Sequence, residues 1–183
     1  MRVFISGGCK NGKSFYAQHL AKQQQSGRNL YYVATMAAVD NEDNGRITRH
    51  QTDRDGWGFT TIEQHCNIEN ILDTCDHNGS FLLDSLTALL ANEMFLPDGS
   101  ICETAHEKIA DGLAQILSTV NHIVIVSDYI YSGAFIYDPF TEMYRKSLAS
   151  LDRLAARLCD VVLEVVNTQV VVHKGRSAFN AIP

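Results

Sequence analysis

The sequence predicts an α/β fold in which a mostly parallel sheet is flanked by helices. Short apolar runs typical of buried strands alternate with longer segments whose apolar residues recur every three or four positions. Such alternation favours parallel strands joined by crossover helices, because a parallel pair needs a long connection. Among the 183 residues there are only three prolines and no low-complexity run. We therefore predict a single domain over residues 1–183.

The individual elements follow from these patterns. Strands are predicted in five apolar runs, at residues 2–6, 30–35, 80–85, 122–128 and 160–166. Helices are predicted to begin near residues 13, 104 and 141. Asn167 and Thr168 separate two β-branched runs, which predicts a C-terminal antiparallel hairpin. The residues after it are expected to form a surface tail.

Composition disfavours several classes of protein. The net charge of −6 disfavours a nucleic-acid partner. No apolar run is long enough for a signal peptide or for membrane insertion, so we expect a cytoplasmic protein. Five cysteines without a C-x-x-C pair argue against a disulfide framework and a zinc site. We expect reduced, mostly buried thiols.

A glycine-rich stretch follows the first predicted strand directly. Its sequence, GGCKNGKS, fits G-x-x-x-x-G-K-[ST] and comprises Gly7, Gly8, Cys9, Lys10, Asn11, Gly12, Lys13 and Ser14. In this pattern the backbone N–H groups wrap phosphates at the start of a helix. We expect Lys13, as an exposed loop lysine, to neutralise the β- and γ-phosphates, and Ser14 to ligate Mg²⁺.

A magnesium site of this kind also needs a carboxylate at the end of a neighbouring strand. Asp84 follows three apolar strand residues and is the predicted second metal residue, with Asp128 in reserve. The alternative for Asp84 is a capping role at a helix that begins near Leu86.

The stretch RITRHQTDR, residues 46–54, places a histidine among three arginines. On a helix Arg46, His50 and Arg54 share one face. Nearby cations favour a neutral imidazole, which can act as a nucleophile, and they attract an anionic substrate. The alternative is a solvated helix face without a chemical role.

With these motifs in place, the chain resembles the bifunctional adenosylcobinamide kinase/adenosylcobinamide-phosphate guanylyltransferases of cobalamin biosynthesis, the CobU type. The resemblance rests on GGCKNGKS and on the stretch YYVATMAAVDNEDNGRITRHQTDRDGWGFTTIE. The residues that match the second signature are Ala34, Thr35, Asp40, Glu42, Arg46, Ile47, His50, Arg54, Thr61 and Glu63.

The resemblance implies a RecA-like P-loop NTPase fold with two activities on one corrinoid precursor. A nucleoside triphosphate, ATP or GTP, phosphorylates adenosylcobinamide, and GMP from GTP is then transferred to that phosphate. It also implies that His50 carries the GMP covalently and that the protein is a homo-oligomer, such as a trimer. Arg46 and Arg54 are expected to neutralise charge on the transferred group.

Several assignments stay open at this stage. Thr35 and Glu63 are expected to contact nucleotide, with ordinary loop hydrogen bonding as the alternative. The loop SDYIYSG at 127–133 departs from the family pattern. This departure bears on the surface that is expected to face the corrinoid. The competing functions are a phosphate-loop kinase or NTPase acting on another small alcohol, and a non-catalytic nucleotide-sensing regulator.

Overall fold

The computed structural model describes residues 1–38, 45, 48, 51–52 and 54–181. Within them the strands are β1 (Arg2–Gly7), β2 (Leu30–Ala34), β3 (Thr60–Glu63), β4 (Ser80–Asp84), β5 (His122–Asp128), β6 (Val161–Val166) and β7 (Gln169–Lys174). The helices are α1 (Lys13–Gln24), a 3₁₀ turn Ile68–Asn70 that leads into α2 (Ile71–Thr74), then α3 (Leu86–Met94), α4 (Ala105–Thr119), α5 (Pro139–Leu158) and α6 (Arg176–Phe179).

The described strands form one sheet in the order β3-β2-β4-β5-β1-β6-β7. Every neighbouring pair is parallel except β6 and β7, which are antiparallel. The predicted α/β class, the parallel sheet and the terminal hairpin are therefore confirmed. Asn167 and Thr168 form the hairpin turn with φ angles of 47° and 65°, a left-handed conformation typical of tight two-residue turns.

Two apolar layers cover the two faces of the sheet. On one face α1 packs Ala17 and Leu20 against residues such as Val3 and Leu82. On the other face α3, α4 and α5 form the larger cluster, which includes Leu89 and other fully buried side chains. This two-sided burial explains why the central strands read as continuous apolar runs in the sequence.

The sequence did not predict β3. Its four residues, TTIE, are exposed or partly buried at the edge of the sheet, so they lack the apolar run that marks the central strands. β3 pairs in parallel with β2, and this pairing places Glu63 opposite Ala34. An edge strand with little burial is therefore defined by its partner and not by its own hydrophobicity.

Helix capping accounts for two further boundaries. Asp138 accepts hydrogen bonds from the backbone N–H groups of Phe140 (3.0 Å) and Thr141 (3.1 Å), which starts α5 two residues before the expected position. Ser85 caps α3, since its Oγ accepts from the N–H of Ala88 at 3.3 Å. The capping role considered for Asp84 therefore belongs to Ser85.

All five cysteines are free, but only Cys75 and Cys159 are buried, and Cys9 is exposed. The expectation of mostly buried thiols was therefore wrong.

In the part of the chain that the structure describes, no helix combines the length and the apolar character needed to cross a bilayer.

Asp152 of α5 is a buried carboxyl, with 3% of its surface exposed. It accepts a hydrogen bond from the hydroxyl of Tyr131 at 2.9 Å. Burial raises the pKa of Asp152 to about 6, and the charge of Asp128 adds to this, against the opposing effect of the Ser127 and Tyr131 hydroxyls. Below a pH of about 6 the folded protein therefore favours the protonated form of Asp152.

We expect Asp152→Asn to stabilise the protein at pH 8 and to have little effect at pH 4. A raised pKa contributes stability at low pH that is lost as the pH rises through about 6. The gain at pH 8 is at most about 3 kcal/mol, from roughly 1.4 kcal/mol per pKa unit. Urea unfolding at both pH values measures it, with Asp111→Asn on the exposed face of α4 as control. An equal effect at both pH values would contradict this assignment.

Candidate active site

The predicted phosphate loop lies between β1 and α1. β1 ends at Gly7 and α1 begins at Lys13. Gly12 has a φ of 88°, a conformation that strains any residue with a Cβ. A Cβ on Gly7 would lie 2.6 Å from the carbonyl oxygen of Val165 in β6. Gly7 and Gly12, the two glycines of the sequence pattern, are thus both required, one by a close contact and the other by its backbone conformation.

The side chain of Asn11 holds this loop in place. Its amide donates to the carbonyl oxygen of Val165, and its Oδ1 accepts a hydrogen bond from the N–H of Lys13 at 3.1 Å. Asn11 therefore ties the loop to the neighbouring strand β6. Its side chain acts as a brace, and its contribution to a phosphate would come from the backbone.

Lys13 is 6% exposed, so the expectation of an exposed loop lysine was wrong. Its ammonium group forms an ion pair with the carboxylate of Asp128 at the end of β5 and donates to the carbonyl oxygen of Gly8 at 3.1 Å. Parallel register sets this pair, because Gly7 of β1 lies opposite Asp128. A phosphate that binds here competes with Asp128 for the same cation.

Asp84, at the end of β4, faces the start of α1. Its Oδ1 lies 3.5 Å from the hydroxyl of Ser14, and its Oδ2 accepts a hydrogen bond from Tyr32 at 2.8 Å. A hydroxyl and a carboxylate are oxygen ligands of the kind Mg²⁺ prefers, with water and phosphate oxygens as the remainder. No cluster of three or more His, Cys, Asp or Glu was found among the described residues. These donors fit a magnesium–nucleotide site and not a protein-only metal cage.

Tyr32 was not predicted as a site residue. It is 4% exposed, and burial followed by the negative charge of Asp84 raises its pKa well above the ordinary value. The phenol therefore stays protonated and donates to Asp84. The available signal was strand periodicity, since Tyr32 and Ala34 lie on the same face of β2 near its carboxyl end.

A cavity of about 580 Å³ opens over the phosphate loop, a volume typical of small-ligand sites. Its walls combine both sequence motifs. The lining residues are Cys9, Lys10, Asn11, Gly12, Lys13, Ser14, Phe15, Tyr32, Ala34, Met36, Ala38, Gln51, Arg54, Thr61, Glu63, His65, Asp84, Ser85, Ala88 and Asp128. Of the residues expected to contact nucleotide, Gly7, Gly8 and Thr35 lie outside this lining.

Thr35 is fully buried. Its hydroxyl donates to the carbonyl oxygen of Ser85 at 2.8 Å and accepts from the N–H of Ser85 at 2.7 Å. Its own carbonyl oxygen accepts from the amide of Asn92 at 2.7 Å. The structure thus gives Thr35 the alternative role of ordinary hydrogen bonding, in which it holds Ser85 at the cavity wall.

Arg54 is 7% exposed and lies inside the cavity wall. Its guanidinium carbon is 4.0 Å from the centroid of the Tyr32 ring, and its Nη2 donates to the hydroxyl of Thr61 at 3.2 Å. Gln51 and Thr52 are helical, whereas Arg54 follows them in a turn. Arg54 itself is therefore not helical, and the common face with Arg46 and His50 stays a prediction because those two residues lie outside the described ones.

Several predicted residues of the second signature and of the stretch 46–54 lie outside the described residues. They are Asp40, Glu42, Arg46, Ile47, Arg49 and His50. Gln51, which follows His50 in the sequence, lines the cavity.

Trp57, the single tryptophan of the chain, lies beside the cavity rim. Its ring centroid is 4.4 Å from that of His19 and 6.4 Å from that of Phe15, which itself lines the cavity. We therefore expect the indole fluorescence of Trp57 to change, through Phe15, when a ligand binds at the phosphate loop.

A parallel sheet whose first strand leads through a glycine-rich loop into a helix, with carboxylates at adjacent strand ends, defines a phosphate-loop nucleotide-binding protein of the RecA-like class. Solved structures share this fold. The flagellar accessory protein FlaH from Methanocaldococcus jannaschii aligns with a TM-score of 0.51 at 12% identity, over 94% of this chain and 77% of its own. A KaiC-like protein from Pyrococcus horikoshii OT3 aligns with a TM-score of 0.50 at 11% identity, over 94% and 78%.

The family is defined by sequence. Residues 3–172 match the family described as cobinamide kinase / cobinamide phosphate guanyltransferase, and the chain belongs to this family of transferases. It is also 26% identical over 162 residues to the bifunctional adenosylcobalamin biosynthesis protein CobP of Pseudomonas aeruginosa. That match covers 88% of this chain and 91% of CobP.

We expect Lys13→Ala to weaken GTP binding by about a hundredfold, because an ammonium group that bonds charged phosphate oxygens is removed. Trp57 fluorescence measures the affinity. Lys146→Ala, an exposed change on α5, is the control. The variant should also lose roughly 1–3 kcal/mol of stability in urea, because Asp128 is left without its cation. Unchanged GTP affinity would refute the phosphate-loop assignment.

The two strand-end carboxylates should respond differently to neutralisation. We expect Asp84→Asn to raise the Mg²⁺ concentration needed for nucleotide binding more than Asp128→Asn does, because Asp84 faces Ser14. Asp128→Asn should instead strengthen nucleotide binding in EDTA, since it releases Lys13. Fluorescence titrations with and without Mg²⁺ measure both effects. The reverse order would move the metal role to Asp128.

Proposed function

We propose that this protein phosphorylates adenosylcobinamide with a nucleoside triphosphate and then transfers GMP from GTP to the resulting phosphate through a guanylylated His50. Family membership supports the substrate class, and the relative CobP is named as bifunctional. The observation that carries the proposal is the single cavity whose lining joins the phosphate loop to Gln51, Arg54, Thr61 and Glu63 of the second motif.

For the kinase step, we assign the β- and γ-phosphates to Lys13 and the backbone of the phosphate loop. The hydroxyl oxygen of the acceptor attacks the γ-phosphorus and loses its proton to water, the bond from the γ-phosphorus to the β–γ bridging oxygen breaks, and the nucleoside diphosphate leaves. Ser14 and Asp84 would hold Mg²⁺, which neutralises charge on the phosphate oxygens when it is bound.

For the guanylyl step, a ring nitrogen of His50 attacks the α-phosphorus of GTP and pyrophosphate leaves. A phosphate oxygen of the corrinoid substrate then attacks the same phosphorus, and the phosphorus–nitrogen bond breaks. A covalent carrier splits one displacement into two easier ones. Arg46 and Arg54 are assigned to charge on the transferred group, and Glu63 to a nucleotide contact within the cavity.

We further propose that the protein is a homo-oligomer, with a trimer as the state that the resemblance implies. Large apolar side chains are exposed in the segment between β5 and α5. Phe135 and Ile136 are 78% and 95% exposed. Exposed apolar groups gathered in one segment are typical of contact surfaces.

We expect GTP alone to leave a GMP adduct on the protein that is labile in acid and stable in base, as a phosphorus–imidazole bond requires. His50→Ala should lose the adduct and guanylyl transfer but keep phosphorylation of adenosylcobinamide, which runs directly from the triphosphate. Arg54→Ala should slow adduct formation by about tenfold or more without removing the nucleophile. Mass spectrometry of the denatured protein locates the adduct.

His77, an exposed histidine remote from the cavity lining, provides the control variant His77→Ala. It should keep both activities. A GMP adduct on any residue other than His50, or guanylyl transfer without an adduct, would refute the covalent mechanism. Phosphorylation of a different small alcohol in preference to adenosylcobinamide would favour the competing kinase assignment.

A further inference from the structure

Tyr32 contacts two charged groups of the cavity wall, the carboxylate of Asp84 and the guanidinium of Arg54. Its hydroxyl donates to Asp84 Oδ2 at 2.8 Å, and Arg54 lies over its ring face with 4.0 Å between the guanidinium carbon and the ring centroid. The side chain is 4% exposed, and Phe59 packs edge-on against it at 6.0 Å between centroids. One rigid, buried ring therefore joins a carboxylate to a cation.

The hydrogen bond determines which oxygen of Asp84 faces the phosphate loop. With Oδ2 engaged by Tyr32, Oδ1 is the oxygen that lies 3.5 Å from Ser14. A carboxylate without this bond can rotate about its terminal torsion, which has a broad energy minimum. Partners of this kind orient the carboxylates that ligate metals, and their loss costs about tenfold or more in metal affinity.

The ring of Tyr32 has a separate effect, on Arg54. A guanidinium that lies over an aromatic face is restricted in orientation, and the hydrogen bond to Thr61 at 3.2 Å fixes one of its nitrogens. The remaining N–H groups are then presented from within a buried wall of the cavity. This arrangement suits an arginine that stabilises charge on a phosphoryl group.

We propose that Tyr32 is a positioning residue that sets the Asp84 carboxylate for the metal and the Arg54 guanidinium for the transferred group on the same bound nucleotide. This inference rests on the function proposed above. It assigns the two effects to separate parts of one side chain: the hydroxyl acts on Asp84 and the ring acts on Arg54. The two effects can therefore be separated by substitution.

Tyr32→Phe tests the hydroxyl, because it removes the donor and keeps the ring. GTP affinity is measured by Trp57 fluorescence with Mg²⁺ and with EDTA. We expect the Mg²⁺ concentration for half-maximal binding to rise about tenfold, with unchanged affinity in EDTA. Tyr31→Phe is the matched control on the same strand. Its hydroxyl accepts from the N–H of Asp76 at 3.1 Å, and Tyr31 is absent from the cavity lining.

Tyr32→Leu tests the ring through a double-mutant cycle with Arg54→Ala. The readout is the rate of GMP incorporation from labelled GTP. We expect Arg54→Ala to slow this rate by a similar factor in the wild-type and Tyr32→Phe backgrounds. In the Tyr32→Leu background its effect should be at least several-fold smaller, because Arg54 is already displaced. If Tyr32→Leu does not fold, Tyr32→Met, which also lacks the ring and has a similar volume, takes its place in the cycle.

The outcomes separate this proposal from the proposed function. Absence of GMP incorporation in the wild-type protein would refute covalent guanylylation and leave the Mg²⁺ titration as the test of Tyr32. An identical Mg²⁺ requirement in the Tyr32→Phe and Tyr31→Phe variants would overturn the role of the hydroxyl. An equal effect of Arg54→Ala in the Leu and Phe backgrounds would overturn the role of the ring.

Discussion

Parallel pairing brings the carboxyl ends of β1 to β6 to the same edge of the sheet, and the candidate chemistry depends on this alignment. At this edge the phosphate loop follows β1, Asp84 ends β4 and Asp128 ends β5. β3 adds Glu63 through its register with β2. Groups that lie as many as 115 residues apart in the chain thus meet without any special loop.

At this edge of the sheet, charged side chains already have protein partners when no ligand is bound. Lys13 is paired with Asp128, and Asp84 is bonded to Tyr32, which also supports Arg54. Burial makes each of these contacts strong and makes an unpaired partner costly. We propose that a nucleotide binds by exchange of partners, in which phosphate oxygens replace Asp128 at Lys13. The acidic net charge of the chain does not oppose this, because the cations are local and enclosed.

The class of fold and the phosphate loop could be predicted from the sequence because each has a local signature. Apolar runs marked the central strands, and the glycine spacing marked the loop. β3 lacked such a signal, since its short segment is exposed at the edge. The pairing of Lys13 with Asp128, the engagement of Thr35 by Ser85 and the role of Tyr32 depend on contacts across the sheet, which local patterns do not encode.

The position of β1 in the sheet has a consequence for folding. β1 lies between β5 and β6, so its pairing groups come from residues 122–128 and 161–166. Asn11 is tied to Val165, and Thr168 lies within 3.7 Å of a Cβ placed on Gly12. The phosphate loop is synthesised before β6, so the bond from Asn11 to Val165 forms only once residue 165 is present. β1 likewise has no pairing partner until residues 122–128 and 161–166 have been made, and such long-range pairing is typical of slow folding and of exposure to aggregation.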